Sequence, residues 1–166
     1  MSFDQVDYLC AMLLRKLLVP LALLVLCGCE ESSLFQKVVF MPNQSWGYSN
    51  PTSFAFTISD TASRYRVFFV LRHTDAYEYN NIWINMTSQL PGDSIWRKDR
   101  FNIPLANEKG WLGTGMDDLF DHRVLLYPQP VSFIKPGNYK LEIRQDMRVD
   151  PLQHVMNVGL RLEKVK

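Results

Sequence analysis

Beyond residue 36, apolar and polar residues alternate along the chain, a pattern typical of β-strands rather than helices. The clearest run places Phe54, Phe56 and Ile58 on one face, with small or polar residues between them. Successive side chains of a strand point to opposite faces, so a period of two gives one buried and one wet face. The pattern predicts about eight strands, near residues 37–41, 53–59, 65–71, 82–88, 94–103, 123–127, 139–147 and 157–163.

Turn residues separate these strands. Pro91-Gly92-Asp93 predicts a tight hairpin, and Lys135-Pro136-Gly137-Asn138 opens a later strand. The segment 65–71 is apolar on both faces apart from Arg66, as expected for a central strand. No segment has a long amphipathic helical pattern. The sequence therefore predicts an all-β fold: a single β-sandwich of about eight mostly antiparallel strands, Ig-like or jelly-roll-like, with a closed barrel as the alternative.

The first 29 residues have the pattern of a lipoprotein signal peptide. Arg15 and Lys16 precede a ten-residue apolar run, 17–26, which is too short for a lasting transmembrane helix of roughly 20 residues. The run ends in Leu26-Cys27-Gly28-Cys29, a bacterial lipobox. We expect cleavage between Gly28 and Cys29 and a diacylglyceryl group on the Cys29 thiol. A buried N-terminal helix is the alternative.

The sequence predicts three regions: a signal peptide at 1–28, the lipidated cysteine with a tether at 29–36, and the β-sandwich at 37–166. Asp4 and Asp7 are unusual before the positive part of a signal, and Met12 begins a tidier signal, so the true start is Met1 or Met12. Two or three acyl chains hold a protein firmly, whereas one binds only reversibly. We expect a lipid-anchored protein in the cell envelope, at the outer membrane, with the periplasmic and surface faces both open.

Composition excludes several classes of protein. The 166 residues suit one domain, and a net charge of +1 argues against general nucleic-acid binding. Apolar residues make up 47% of the chain, which is too rich for a disordered protein. The three cysteines all fall within the first 29 residues, so neither disulfides nor thiol chemistry shapes the predicted sandwich.

The longest interruption of the strand pattern, residues 104–122, contains a tryptophan among glycines, Gly110-Trp111-Leu112-Gly113-Thr114-Gly115. Such long loops are often functional, and glycines give the backbone freedom beside a large apolar anchor. We expect a partner-binding face made of Trp111, Leu112, Tyr77, Tyr79 and Trp83. The alternatives are that Trp111 is part of the core and that the other aromatic side chains cover the open end of the sandwich.

An acidic cluster follows in the same segment and consists of Asp117, Asp118, Asp121 and His122. Oxygen ligands at this spacing can hold Ca²⁺, but the alternating acids and central glycine of an EF-hand loop are missing. We therefore expect a capped helical turn with Asp121 paired to Arg123, and neither a metal nor another cofactor.

No motif in the sequence requires catalysis. There is no nucleophile elbow, zinc motif or phosphate-binding glycine loop. We expect a non-enzymatic protein with no small-molecule ligand. Two rival hypotheses remain: a glycan-binding surface lipoprotein, favoured by the sandwich and its aromatic residues, and a hydrolase that uses His73 or His122.

Several segments together resemble the GldH family of gliding-motility lipoproteins from Bacteroidetes. They are Pro136-Gly137-Asn138-Tyr139, residues 143–148, Asp150-Pro151-Leu152, residues 158–161, the 110–115 segment with Asp118 and residues 121–123, and Arg72-His73 with Tyr77, Tyr79, Asn81 and Trp83. Val149 stands where an acidic or polar residue is expected. The resemblance implies a non-enzymatic envelope lipoprotein with gliding or envelope proteins as partners, in machinery linked to type IX secretion. It implies no catalytic residues.

Two short motifs are similar to the O-glycosylation site of Bacteroidetes, an Asp followed by Ser or Thr and a small apolar residue. They are Asp60-Thr61-Ala62 and Asp93-Ser94-Ile95, and both fall in predicted turns. Thr61 and Ser94 are the expected acceptors, with chance occurrence as the alternative.

Overall fold

The computed structural model describes residues 33–165, and this part of the chain is built from antiparallel strands. No helix in it is long and apolar enough to cross a bilayer. The strands are β1 Ser33–Phe40, β2 Ser45–Trp46, β3 Thr52–Ile58, β4 Arg64–Thr74, β5 Asn81–Gln89, β6 Trp96–Pro104, β7 Ala106–Asn107, β8 Gly110–Trp111, β9 Thr114–Met116, β10 Leu119–Leu125, β11 Val131–Ser132, β12 Gly137–Gln145, β13 Leu152–Gln153 and β14 Val155–Lys164.

Two sheets form the layers of the sandwich. The six-stranded sheet has the order β1-β14-β4-β10-β9, with β11 paired to the start of β4. The four-stranded sheet has the order β3-β12-β5-β6, and β2–β13 and β7–β8 form two short ribbons. All eight strands of the sequence pattern are present, so the all-β sandwich is confirmed.

The core lies between the two sheets and follows the alternation of the sequence. Along β3, Phe54, Phe56 and Ile58 are buried and their neighbours are exposed. From the other sheet, β4 contributes Tyr65, Val67, Phe69 and Leu71. Strand β4 lies between β14 and β10, which confirms the central strand predicted from its apolar faces.

The first strand starts earlier than the sequence pattern indicated. It begins at Ser33, so residues 33–36 of the expected tether belong to the six-stranded sheet. The reason is that Phe35 packs against Phe56 of the facing sheet, with ring centroids 5.4 Å apart. The predicted signal peptide and Cys29 lie outside the described residues.

The two ends of the sandwich carry different connections. At the proximal end, where β1 begins, lie residues 59–63, 90–95, 126–130 and 133–136 together with the end of β14. The connection after Gln89 has six residues, so the hairpin at Pro91-Gly92-Asp93 exists but is wider than the tight turn predicted. At the distal end lie residues 41–51, 75–80, 105–118 and 146–154.

Candidate functional site

The five residues expected to form one partner face do not lie on a single surface, although the rings of Tyr77 and Tyr79 meet at 5.7 Å. Tyr77 is buried and Trp111 half-buried, and both rings pack around His73. Leu112 is exposed and lines a groove on the six-stranded sheet. Tyr79 and Trp83 line a different cavity. The fold distributes the five residues among a buried cluster and two surfaces, and their role in partner binding stays a prediction.

The segment 104–122 is folded rather than an open loop. Strands β7 and β8 form a ribbon, and β9 pairs with β10 through a two-residue turn at Asp117-Asp118. Asp117 has φ 54°, as a tight turn requires, so these residues close a hairpin and do not cap a helix. Trp111 is thereby held against the core, which was the alternative interpretation of this residue.

A buried histidine pair lies beneath this ribbon. His73 Nδ1 lies 2.6 Å from the Thr74 carbonyl oxygen and donates to it, and His122 Nε2 lies 2.9 Å from His73 Nε2. With its proton on Nδ1, His73 accepts at Nε2 and His122 donates. The ring centroids of Trp111 and Phe120 lie 4.4 and 5.7 Å from that of His73. The pair is satisfied when both rings are neutral.

Burial fixes the charge of the histidine pair. It lowers the pKa of His73, and together with the neighbouring His73 it lowers the pKa of His122 to about 4. The backbone of Gly113 packs directly against the cluster. A Cβ at this position would lie 2.5 Å from the Asp121 carbonyl oxygen and 2.9 Å from the His122 ring, so no side chain fits there. The two enclosed histidines are joined to each other by one hydrogen bond and are accounted for as part of the packed core.

We expect the fold to lose stability as the pH falls from about 6.5 towards 4. The unfolded chain binds protons at histidine's ordinary pKa of 6.5, whereas folded His122 does so only near pH 4. The unfolded state therefore binds more protons throughout that window. The loss should exceed about 1 kcal/mol, because one unit of pKa corresponds to about 1.4 kcal/mol. Urea titrations at a series of pH values measure it.

The variant His122→Gln should flatten this dependence, since glutamine still donates a hydrogen bond but does not titrate. Tyr77→Phe is the matched control: it alters the same cluster by removing the hydroxyl that donates to Asn81, and it should keep the wild-type slope. A wild-type slope in His122→Gln would contradict the assignment.

Tyr79 and Trp83 face a cavity of about 470 Å³ on the distal part of the four-stranded sheet. The guanidinium of Arg100 lies 4.0 Å above the Trp83 ring, and Arg100 Nε donates to Asp146 Oδ2 over 2.6 Å. Arg100 therefore covers one face of the Trp83 ring, and Asp146 balances the charge of Arg100.

A larger groove, of about 870 Å³, crosses the outer face of the six-stranded sheet. Phe40 and Leu112 line it and are 77% and 51% exposed. At the middle of that face β14 carries Gly159, and a Cβ at this position would lie 2.9 Å from the Lys37 carbonyl oxygen. Because Gly159 has no side chain, nothing projects from this position of the sheet to fill the groove.

Arginines set the charge of the groove. Arg72 donates two hydrogen bonds of 2.6 and 2.7 Å to Asp121, which corrects the expected pairing of Asp121 with Arg123. Asp121 lies directly opposite Arg72 in the β10–β4 register, whereas Arg123 is two residues further along the same strand. Arg123 is exposed, and its guanidinium lies 3.9 Å from Glu163. In residues 33–165 no group of three or more acidic, histidine or cysteine side chains is placed to hold a metal ion.

The two expected glycosylation sites are exposed, at the proximal end of the sandwich. Asp60 accepts hydrogen bonds from the amides of Ala62 and Ser63, which orders the turn that carries Thr61. Lys164 and Ser63 hold the pKa of Asp60 well below its ordinary value. Ser94 lies in the connection between β5 and β6. Glycosylation of both residues stays a prediction, and Gly28 and Cys29 lie outside the described residues.

Comparison with known proteins gives a family. The model of the GldH lipoprotein family matches residues 33–162. The gliding motility lipoprotein GldH of Flavobacterium johnsoniae is 26% identical over 152 residues, covering 87% of this chain and 92% of that protein. A GldH homolog of Christiangramia forsetii is 23% identical over 150 residues, covering 86% and 90%.

Solved structures give only distant similarities. A carbohydrate-binding module specific for non-crystalline cellulose, CBM28, has a TM-score of 0.45 at 14% identity, covering 79% of this chain and 73% of that one. The insecticidal delta-endotoxin Cry8Ea1 of Bacillus thuringiensis has a TM-score of 0.38 at 15% identity, covering 79% of this chain and 20% of that one. At these scores the two structures say nothing about what this chain binds.

Proposed function

The chain belongs to the GldH lipoprotein family, and we propose that it is a non-enzymatic component of the gliding-motility machinery, anchored by acyl chains and docking to another envelope protein. Its relatives are gliding motility lipoproteins or their homologs, which supports the motility role. The lipobox at residues 26–29 supports the anchor, because it places a cysteine immediately after a small residue and an apolar run. Glu30 and Glu31 after that cysteine resemble surface-export signals of Bacteroidetes and support the outer membrane.

The docking role rests on the groove of the six-stranded sheet. Phe40 and Leu112 expose most of their apolar surface on its lining, where the partner would gain most from excluding water. The lining contains three arginines, Arg72, Arg123 and Arg161, and one acidic residue, Asp121, so it keeps a basic surplus although Arg72 pairs with Asp121. This combination suits a protein segment that carries both apolar and acidic side chains.

We expect Leu112→Ser and Arg123→Glu each to weaken partner binding by at least about fivefold. An interface residue of this kind is worth more than about 1 kcal/mol, which corresponds to that ratio of affinities. The free energy of unfolding should change by less than about 0.5 kcal/mol for Leu112→Ser, since the side chain is exposed. Crosslinking in intact envelopes followed by purification of this chain measures the yield of the crosslinked partner.

Met116→Ser and Lys109→Glu are the matched controls, because both residues are exposed at the distal end but do not line the groove. They should keep the wild-type yield. Equal yields in all four variants would place the docking surface elsewhere. Binding of the soluble 30–166 chain to a glycan array, lost in Leu112→Ser, would instead favour the glycan-binding alternative.

A further inference from the structure

The proximal end of the sandwich exposes large apolar side chains that the docking groove does not use. Ile134 and Ile95 are 70% and 65% exposed, and Leu34 and Trp96 are exposed as well. Ile95 lies in the connection from β5 to β6, Ile134 in the connection from β11 to β12, and Leu34 near the start of β1. Four exposed apolar residues therefore come from three separate segments of the chain.

Contacts beneath these residues hold the three segments together. A Cβ on Gly137 would lie 3.0 Å from Pro91, so the β5–β6 connection abuts the start of β12. The ring of Phe133 meets that of Phe56 at 5.6 Å, and Phe56 also meets Phe35. Ile134 and Leu34 are sequence neighbours of Phe133 and Phe35. The apolar residues are thus displayed on one end of a packed core.

The two ends of the sandwich also differ in charge, because the proximal end is more basic than the distal end. The proximal end carries exposed basic side chains: Arg64, Arg97, Lys135 and Lys164. Its acidic residues are Asp60, which pairs with Lys164 over 2.6 Å, Asp93, and Glu163, which pairs with Arg161 over 2.7 Å. At the distal end, the stretches 75–80, 105–118 and 146–154 contain seven acidic and two basic residues. A surface with anionic headgroups would attract the proximal end and repel the distal one.

The anchor brings the proximal end close to such a surface. Three residues separate Cys29 from Ser33, and an extended chain advances at most about 3.6 Å per residue. An acylated Cys29 therefore lies within about 14 Å of the start of β1, which is about twice the roughly 5–7.5 Å thickness of the headgroup region of one leaflet. This short reach keeps the proximal end near the membrane interface.

We propose that the proximal end rests on the bilayer, with Ile95 and Ile134 among the headgroups and the basic side chains against lipid phosphates. This proposal rests on acylation of Cys29, as proposed above. The short tether keeps the apolar residues at the interface, where apolar side chains and basic residues together favour binding to anionic lipid. The acidic distal end then points away from the membrane and presents its connections to the aqueous compartment.

A single-cysteine probe tests this orientation in the acylated protein. The mature chain has no cysteine other than Cys29, whose sulfur is blocked by the diacylglyceryl group, so Ile134→Cys introduces one reactive thiol. The variant is labelled with the fluorophore NBD and reconstituted in vesicles of phosphatidylethanolamine and phosphatidylglycerol that contain a spin-labelled lipid. Ile95→Cys provides a second probe in another segment, and Met116→Cys is the control at the distal end.

We expect the spin-labelled lipid to quench the probes at positions 134 and 95 at least twofold more than the probe at 116. Equal quenching in an acylated protein that floats with the vesicles would overturn this proposal and leave the anchor intact. A protein that carries no acyl chain, reacts with the fluorophore at Cys29 and does not float would overturn the anchor and this proposal together.

Discussion

Replacing Phe69 by alanine should lower the free energy of unfolding by about 3–5 kcal/mol, the usual cost of deleting a buried aromatic ring. Phe69 has no exposed surface and lies in β4, between Leu160 of β14 and Val124 of β10. Its ring lies in the core between the two sheets, and the surrounding structure relaxes only partially into a cavity left there. Urea denaturation of the 30–166 chain, followed by tryptophan fluorescence, measures the change.

Phe68→Ala is the matched control, because the same residue type one position earlier points to the opposite face. Phe68 is half-buried on the outer side of the sheet, where the guanidinium of Arg123 lies 5.7 Å from its ring. Its loss should cost about 1 kcal/mol, the value of a partly exposed cation–π contact. Equal costs for the two variants would mean that β4 is not covered on one face only, and would contradict the sandwich.

The sequence predicts the strands that are long enough for their alternation of apolar and polar residues to be visible. Phe54, Phe56 and Ile58 are an example, since three alternate positions define a buried face without reference to the rest of the chain. The sequence pattern does not indicate the start of β1, because Lys37 interrupts the series of alternate apolar residues between Phe35 and Val39. In the structure, Lys37 is tolerated on this edge strand because its ammonium group reaches the Ser53 carbonyl oxygen at 3.3 Å.

The segment 104–122 was not predictable in the same way. Strands β7, β8 and β9 have two or three residues each, which is too few for a period to appear. Glycine-rich sequence around Trp111 therefore looked like an open loop, although Gly113 is needed for close packing against His122. Short ribbons that depend on tertiary contacts leave no local signal.

The candidate site depends on register, which a single sequence does not contain. His73 and His122 meet because Leu71 lies opposite His122 and His73 opposite Phe120 in the β10–β4 pairing. A shift of one residue would turn His122 to the solvent face. The same register sets the pairing of Arg72 with Asp121. The sequence identified the chemical types of these residues, but neither their partners nor the groove follows from local patterns.

Replacing Cys29 by serine should move the protein from the membrane fraction to the soluble fraction, with at least about a tenfold loss of membrane-bound protein. The physical reason is that two or three acyl chains make attachment firm, and serine at position 29 has no thiol to carry the diacylglyceryl group. Fractionation of cells followed by immunoblotting measures the distribution. Cys27→Ser is the matched control, since Cys27 precedes the predicted cleavage site and should not carry lipid.

The central claim is that this β-sandwich is held to the envelope by lipid on residue 29, and metabolic labelling with palmitate tests it most directly. The wild-type chain and Cys27→Ser should both incorporate the label, and Cys29→Ser should incorporate none. An unlabelled wild-type chain, or a Cys29→Ser variant that carries as much label as the wild type, would contradict the account.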